Sequence, residues 1–322
     1  MAAVKDADLM LARARRPLVV GIGGGGDVVG ALATAETARL YHGARPIVGG
    51  VSWERRPIDP EPGPRAASEI EDAEELAPGV LLARPHTRVR GRDVVFAESH
   101  MAEFLGEETV LVDVRGGPAA IAGGLTQACA ALGCDLIVFL DVGGDVLAHG
   151  HEAGLGSPLC DALMLAAAVR MERSAGSAPP VLGAIFGPGC DGELTLSEVS
   201  DRLAHVAAAG GLAGARGLTP PIAERLERAI ERVPTEASAQ AVRGFRGANG
   251  PTSIRGGRRT LELMPAVALT VYFDVTIAYE SSAPLARAVM DAASLEEANE
   301  TLRAMGIRSE LDWEIDAAAG RS

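Results

Sequence analysis

Apolar residues in the first two-thirds of the chain come in strand-length runs. Each is followed by a glycine-bearing loop and then by a longer stretch rich in Ala and Leu. Such strand–helix alternation predicts a mostly parallel sheet covered on both faces. Pro17–Ile22 reads as a strand, Gly23–Gly26 as a glycine loop and Val28–Tyr41 as a helix. Pro46–Val51 reads as a second strand, ended by Arg55, Arg56 and a proline-rich connection from Pro57 to Pro64. Short strands are expected at Val80–Ala83 and Val94–Ala97, with a helix at Ser99–Leu105. The next two units echo each other. Val110–Val114 leads through Arg115, Gly116 and Gly117 into the helix Ala119–Leu132, and Leu136–Val142 leads into Gly143, Gly144 and Asp145. Asp113 and Asp141 lie 28 positions apart, about the length of one β-α-β unit. A helix at Pro158–Met171, a strand at Val181–Phe186 and the loop Gly187–Glu193 follow.

From about Leu194 the pattern changes. Helices are expected at Ser197–Ala209, Pro221–Arg232 and near Glu236–Phe245. A Gly/Arg-rich loop, a strand near Ala266–Tyr279 and closing helices at about Pro284–Ala293 and Leu295–Met305 complete the chain. No low-complexity linker divides it. The expectation is one α/β domain over residues 1–322: a three-layer, Rossmann-like, mostly parallel sheet with helices on both faces and a helical and strand C-terminal extension. Residues 211–322 are the candidate subregion.

Composition narrows the function classes. A formal net charge of −13 argues against a nucleic-acid partner, which ordinarily needs a basic face. The most apolar stretches are strand-sized, so no membrane span is expected. Lys5, Asp6 and Asp8 form no basic region leading into an apolar one, and the expectation is a cytoplasmic protein. Four cysteines, Cys129, Cys134, Cys160 and Cys190, show no CxxC spacing and read as buried small hydrophobes. Lys5 is the only lysine among the 30 basic residues. That removes Walker-A loops, which need Gly-Lys-Ser/Thr, and Schiff-base enzymes, which need a buried lysine.

In doubly wound sheets ligands bind beyond the carboxyl ends of the strands, so chemistry is sought in the post-strand loops. In the first, Gly23, Gly24, Gly25 and Gly26 let backbone N–H groups approach a phosphate at a helix N-terminus. The duller alternative is a tight turn with Asp27 as the cap. Asp27 would repel a bare pyrophosphate unless a cation lies between them. Glu54, 28 residues after Gly26, is later than the usual spacing of about 20 for a ribose-binding acid. The loop is also similar to the pyrophosphate loop of ATP-dependent amide-forming enzymes, with Gly23 and Val28 in place of its serines. The second loop gathers Asp141, Asp145, His149, His151 and Glu152. Its oxygen ligands suit Mg²⁺ or Mn²⁺, with Asp141 and Asp145 as ligands, and its imidazoles suit proton transfer. A solvated polar loop is the alternative. Asp113, Ser157, Asp191 and Glu193 are further candidates for substrate contact. Arg255 and Arg258, in a run with Arg243, Arg246 and Arg259, fit an anionic small-molecule substrate, a solvated loop or a homo-oligomer contact.

Three segments, Gly21–Ala33 (GIGGGGDVVGALA), Phe139–Ser157 (FLDVGGDVLAHGHEAGLGS) and Gly187–Leu194 (GPGCDGEL), resemble the family called domain of unknown function 1152. The resemblance implies a cytoplasmic α/β protein and assigns no activity. The residues themselves favour an enzyme acting on a phosphorylated or nucleotide-like small molecule. An ATP-pyrophosphatase-like ligase is one variant, and a non-catalytic nucleotide-binding regulator is the competing class.

Overall fold

The computed structural model describes residues 5–321, apart from 175 and 177. In chain order the elements are α1 (Ala7–Arg13), β1 (Pro17–Gly21), α2 (Asp27–His42), β2 (Ile47–Val51), β3 (Ile70–Ala77), β4 (Val80–Val89), α3 (Ala97–Leu105), β5 (Thr109–Val112), α4 (Gly117–Leu132), β6 (Leu136–Val142) and α5 (Pro158–Arg173). They continue as β7 (Val181–Phe186), α6 (Leu196–Ala208), β8 (Leu212–Gly217), α7 (Pro220–Ile230), α8 (Ala237–Phe245), β9 (Gly250–Ile254), β10 (Arg259–Leu263), β11 (Leu269–Phe273), α9 (Val275–Ser282), α10 (Pro284–Val289), α11 (Leu295–Ala304) and α12 (Glu310–Ala318).

Nine strands form one sheet in the order β3-β4-β5-β2-β1-β6-β7-β11-β8. The middle five, β5-β2-β1-β6-β7, are parallel, and antiparallel pairs flank them on either side. Side-chain alternation along β1 explains why both faces are covered. Leu18 and Val20 pack with α4 and α5, while Val19 packs with α2 on the opposite face. After β1 the chain builds outward through β2 and β5, then returns to place β6 on the other side of β1. The β1/β6 gap is therefore the topological switch point, where the following loops part and leave a crevice. Among the described residues no helix is long and apolar enough to cross a membrane.

The structure departs from the expected elements where local pattern and position in the sheet disagree. β3, with the sequence IEDAEELA, is an edge strand whose carboxylates face out; charge there blocks edge-to-edge pairing while hiding the strand from a propensity reading. β8 (LAGARG) is the opposite edge, equally poor in strand formers. Val94–Ala97 is not a strand: Val95 makes one bridge to Arg88 and α3 begins at Ala97. The Gly/Arg-rich loop contains the antiparallel hairpin β9–β10. The expected strand Ala266–Tyr279 ends at Phe273 because Asp274 accepts the Ile277 N–H at 2.9 Å and starts α9. α1 and α12 were not expected. The latter opens on a capping box between Ser309 and Asp312.

Candidate active site at the switch point

The site is built on the carboxyl ends of β1, β6 and β7, with the first turn of α5 closing one side. At the end of β1, Asp27 Oδ2 accepts the Gly23 N–H at 3.0 Å. The Gly25 N–H is tied to the Trp53 carbonyl at 3.1 Å. No acceptor among the described residues takes the amides of Gly24 and Gly26. Gly25 has φ +52° and a Cβ there would meet nothing within 4 Å, whereas a Cβ on Gly24 would lie 2.8 Å from the Trp53 carbonyl oxygen. Gly24 thus fixes the loop to its own wall, and Gly25 faces open space.

Arg55, which follows β2, reads in the sequence only as the start of the proline-rich connection. Its guanidinium lies 4.2 Å over the Trp53 ring and its Nη2 donates to the Gly23 carbonyl at 2.7 Å. It also faces Glu310 at 3.4 Å and Glu314 at 3.7 Å. Glu310 in turn accepts the Leu159 and Cys160 N–H groups at 3.0 and 2.9 Å, so α12 caps the first turn of α5.

At the end of β6, Gly143 and Gly144 have φ +123° and +121°, a conformation other residues rarely reach. A Cβ on Gly143 would also collide with the Asp191 carboxyl. This turn carries Asp145 back beneath Asp141. Asp161, on the first turn of α5, comes up from below. One carboxylate oxygen from each of Asp141, Asp145 and Asp161 lies within 4.8 Å of the others, and Asp145, Asp191 and Glu193 form a second such group.

The two groups differ in how their charge is met. Glu193 accepts the Gly156 and Ser157 N–H groups at 2.7 and 2.8 Å and the Ser157 hydroxyl. Arg259 lies 2.8 Å from it and Arg255 3.9 Å. Against burial, which alone would raise it, those partners hold Glu193 below the ordinary glutamate value. Asp191 is pushed up to about 7 by burial and by Glu193, with Arg259 opposing. Among the described residues the other group has no ion pair within 4 Å, and Arg55 acts on Asp161 only at longer range. Asp141 takes one backbone N–H, from Val146 at 3.2 Å. Asp161 Oδ1 is buried without a partner among the described residues. Burial and mutual repulsion raise Asp141, Asp145 and Asp161 well above the usual aspartate range. Asp27, half-buried at the loop, is raised to about 7 by the surrounding protein despite Gly23 and Arg55.

The remaining candidates lie elsewhere. Glu152 accepts the N–H groups of His149, Gly150 and His151 at 2.8, 2.8 and 3.1 Å and pairs with Arg202 at 3.0 Å. Every face of its carboxylate is engaged, so it anchors the loop. The His149 ring centroid lies 5.8 Å from that of His151 and 6.5 Å from that of His205. Burial and Arg202 lower its basicity. The groups around it belong to α6, the loop itself and Ser282 at the end of α9, so the motif Asp141–Glu152 divides into an aspartate half at the crevice and a histidine half facing α6 and α9. Asp113, two strands from β1, binds the Ala67 and Arg115 amides, each at 2.9 Å. It lines a separate depression of about 500 Å³ with Arg90 and Ser68. Arg258 donates to the Arg255 carbonyl at 3.0 Å and faces solvent. Arg243 is held by Gln240, and Arg246 by Glu227. Cys190 is buried, and burial with Asp191 raises its thiol far above the range of a nucleophile.

Sequence reasoning did not select Arg55 or Glu310, and it gave Asp161 and Arg259 no individual role. Asp161 in the first turn of a helix reads as ordinary helix-dipole complementation. Arg259 is one of several arginines in its segment, and only the hairpin register turns it towards Glu193.

The family described as a protein of unknown function, DUF1152, matches residues 18–318, and the chain belongs to it. No curated protein and no solved structure matches the chain.

Proposed function

We propose that this DUF1152 protein is an enzyme acting on a phosphorylated or nucleotide-like small molecule bound in the β1/β6 crevice. One observation carries the reading. The glycine loop, with two unclaimed amides at the N-terminus of α2, meets the carboxylates of β6, α5 and β7 at the switch point. Amides of that kind suit phosphate oxygens, and a purely binding module has no use for so many uncompensated acids beside them. Asp141 and Asp145 remain the chemical centre. Glu152 holds the loop, and Ser157, Glu193 and Arg259 form a fixed wall. Arg255, exposed and 3.9 Å from Glu193 at the edge of that wall, is proposed to meet an anionic substrate. A cytoplasmic setting accords with the four free cysteines.

A ligase of the ATP-pyrophosphatase kind is less well supported, because Gly23 and Val28 offer no hydroxyl. Nor does Glu54 serve a nicotinamide dinucleotide: its carboxylate turns inward to the Ala97 N–H at 2.6 Å. The test is thermal shift and native mass against ATP, AMP and pyrophosphate, followed by turnover assays on any binder. A ligand at 100 times its Kd stabilises by about 2.7 kcal/mol. Binding without turnover favours the regulator, and no shift with any phosphorylated compound overturns both readings.

A further inference from the structure

We infer that Asp141, Asp145 and Asp161 are ligands of one divalent hard cation, Mg²⁺ or Mn²⁺, and that Arg259 is the built-in counter-charge that keeps a second ion off Asp191 and Glu193. The inference deepens the phosphate-site reading and rests on it only for the use to which the ion is put.

The protein itself neutralises only some of these carboxylates. Both acidic groups pass through Asp145, and by spacing alone either could hold an ion. Glu193 is already served by two backbone amides, a hydroxyl and Arg259. An ion there would have to displace a guanidinium 2.8 Å away. The other group is left incomplete. Asp161 is only 2% exposed and its Oδ1 has no partner among the described residues. A buried polar atom without a partner is costly. The same carboxyl group places one of its oxygens within 4.8 Å of oxygens of Asp141 and Asp145. All three ligands are carboxylate oxygens with no imidazole or thiolate among them, the donor set of Mg²⁺, Mn²⁺ or Ca²⁺. Three protein oxygens leave half of an octahedral shell for water or substrate oxygens, as phosphate-bound Mg²⁺ prefers. A Cβ on Gly23 would lie 2.7 Å from Asp27 Oδ2 and 3.3 Å from Asp161 Oδ2, so the aspartate group adjoins the glycine loop. A phosphate on that loop would meet the cation that Asp27 otherwise makes necessary.

The probe is Mn²⁺ alone, without nucleotide, measured by calorimetry and by electron paramagnetic resonance on the full chain. The wild type takes up one Mn²⁺ per chain. Asp161→Asn and, separately, Asp141→Asn weaken uptake at least tenfold while circular dichroism stays native. Asp191→Asn changes it less than threefold. Arg259→Gln admits a second Mn²⁺. No uptake by the wild type at millimolar Mn²⁺ overturns the site, as does equal affinity in folded Asp161→Asn, and a loss in Asp191→Asn matching that in Asp161→Asn overturns the assignment of ligands. Phosphate-ligand binding in chelator would leave the functional reading standing when the ion fails. Mn²⁺ uptake with no phosphorylated ligand would leave the ion standing when that reading fails.

Discussion

Glu54 offers the sharpest physical test of how this crevice is built. It follows the strand next to β1, where dinucleotide-binding folds place the acid that holds a ribose. Here it lies 3% exposed beside Glu98, neither of whose carboxyl oxygens has a partner among the described residues. Burial pushes Glu54 from 4.5 up to about 7, against the Ala97 amide and Arg55, which favour its charged form. A carboxyl raised in the folded state keeps its proton after the unfolded chain has lost its own. Its stabilising contribution is complete below about pH 4.5 and drains away as pH rises through about 7. At about 1.4 kcal/mol per pH unit, that interval amounts to about 3 kcal/mol by pH 8. Glu54→Gln keeps an acceptor for Ala97 and cannot ionise. Urea denaturation in chelator should find the variant equal to wild type at pH 4.5 and about 3 kcal/mol more stable at pH 8. The matching rise in Tm is roughly 5 °C or more. Parallel pH curves would refute the reasoning. A variant less stable at pH 8 would mean that Glu54 is ionised and turned towards a ligand.

Two further outcomes follow from the site geometry. Gly25→Ala should fold with only the small loss of Tm that a φ of +52° imposes on alanine and lose at least tenfold in affinity for ATP or pyrophosphate, since its side chain enters the open mouth of the loop. Gly24→Val should instead lower Tm, because it strikes the Trp53 carbonyl, 2.8 Å from a Cβ at Gly24; equal thermal-shift behaviour of the two variants would contradict the distinction. Arg259→Ala leaves the buried Glu193 without its nearest cation and should cost about 3 kcal/mol. Glu193→Gln in the same background should recover part of that in a denaturation double-mutant cycle.

Much of this architecture was legible because the parallel strands are buried on both faces and so appear as unbroken apolar runs. β1, β6 and β7 lie almost where the pattern puts them. The edges were not legible. β3 and β8 pair along one side only, so their sequences carry charge and glycine in place of β-branched residues. The site was half legible for a related reason. Asp141 and Asp145 announce themselves by following an apolar strand with two glycines between. Asp161 and Arg259 become site residues only through packing of α5 and the register of β9–β10, which no local pattern encodes. Glu152 misled in the opposite sense: a carboxylate beside two histidines suggests proton transfer, yet three consecutive amides use it as their common acceptor.

Glu310 settles which helix start at the crevice is open to an anion. Both α2 and α5 direct their N-termini to the switch point, and each has orphan N–H groups that favour negative charge. On α5 the position is filled from within. Glu310 takes the N–H groups of Leu159 and Cys160 and sits 3.4 Å from Arg55, so a carboxylate already stands where a phosphate would. On α2 the amides of Gly24 and Gly26 stay unclaimed among the described residues. On the proposed function the anion is assigned to α2, and Glu310 is part of the scaffold. Glu310→Ala should lower stability by about 1–2 kcal/mol, the usual worth of an N-terminal cap, and leave ATP or pyrophosphate affinity within about threefold. Inorganic phosphate at tens of millimolar should restore much of the lost Tm in this variant, by occupying the vacated amides, and should do so far less in wild type. A tenfold change in ATP affinity with Tm intact would place the ligand on α5 and sink the assignment.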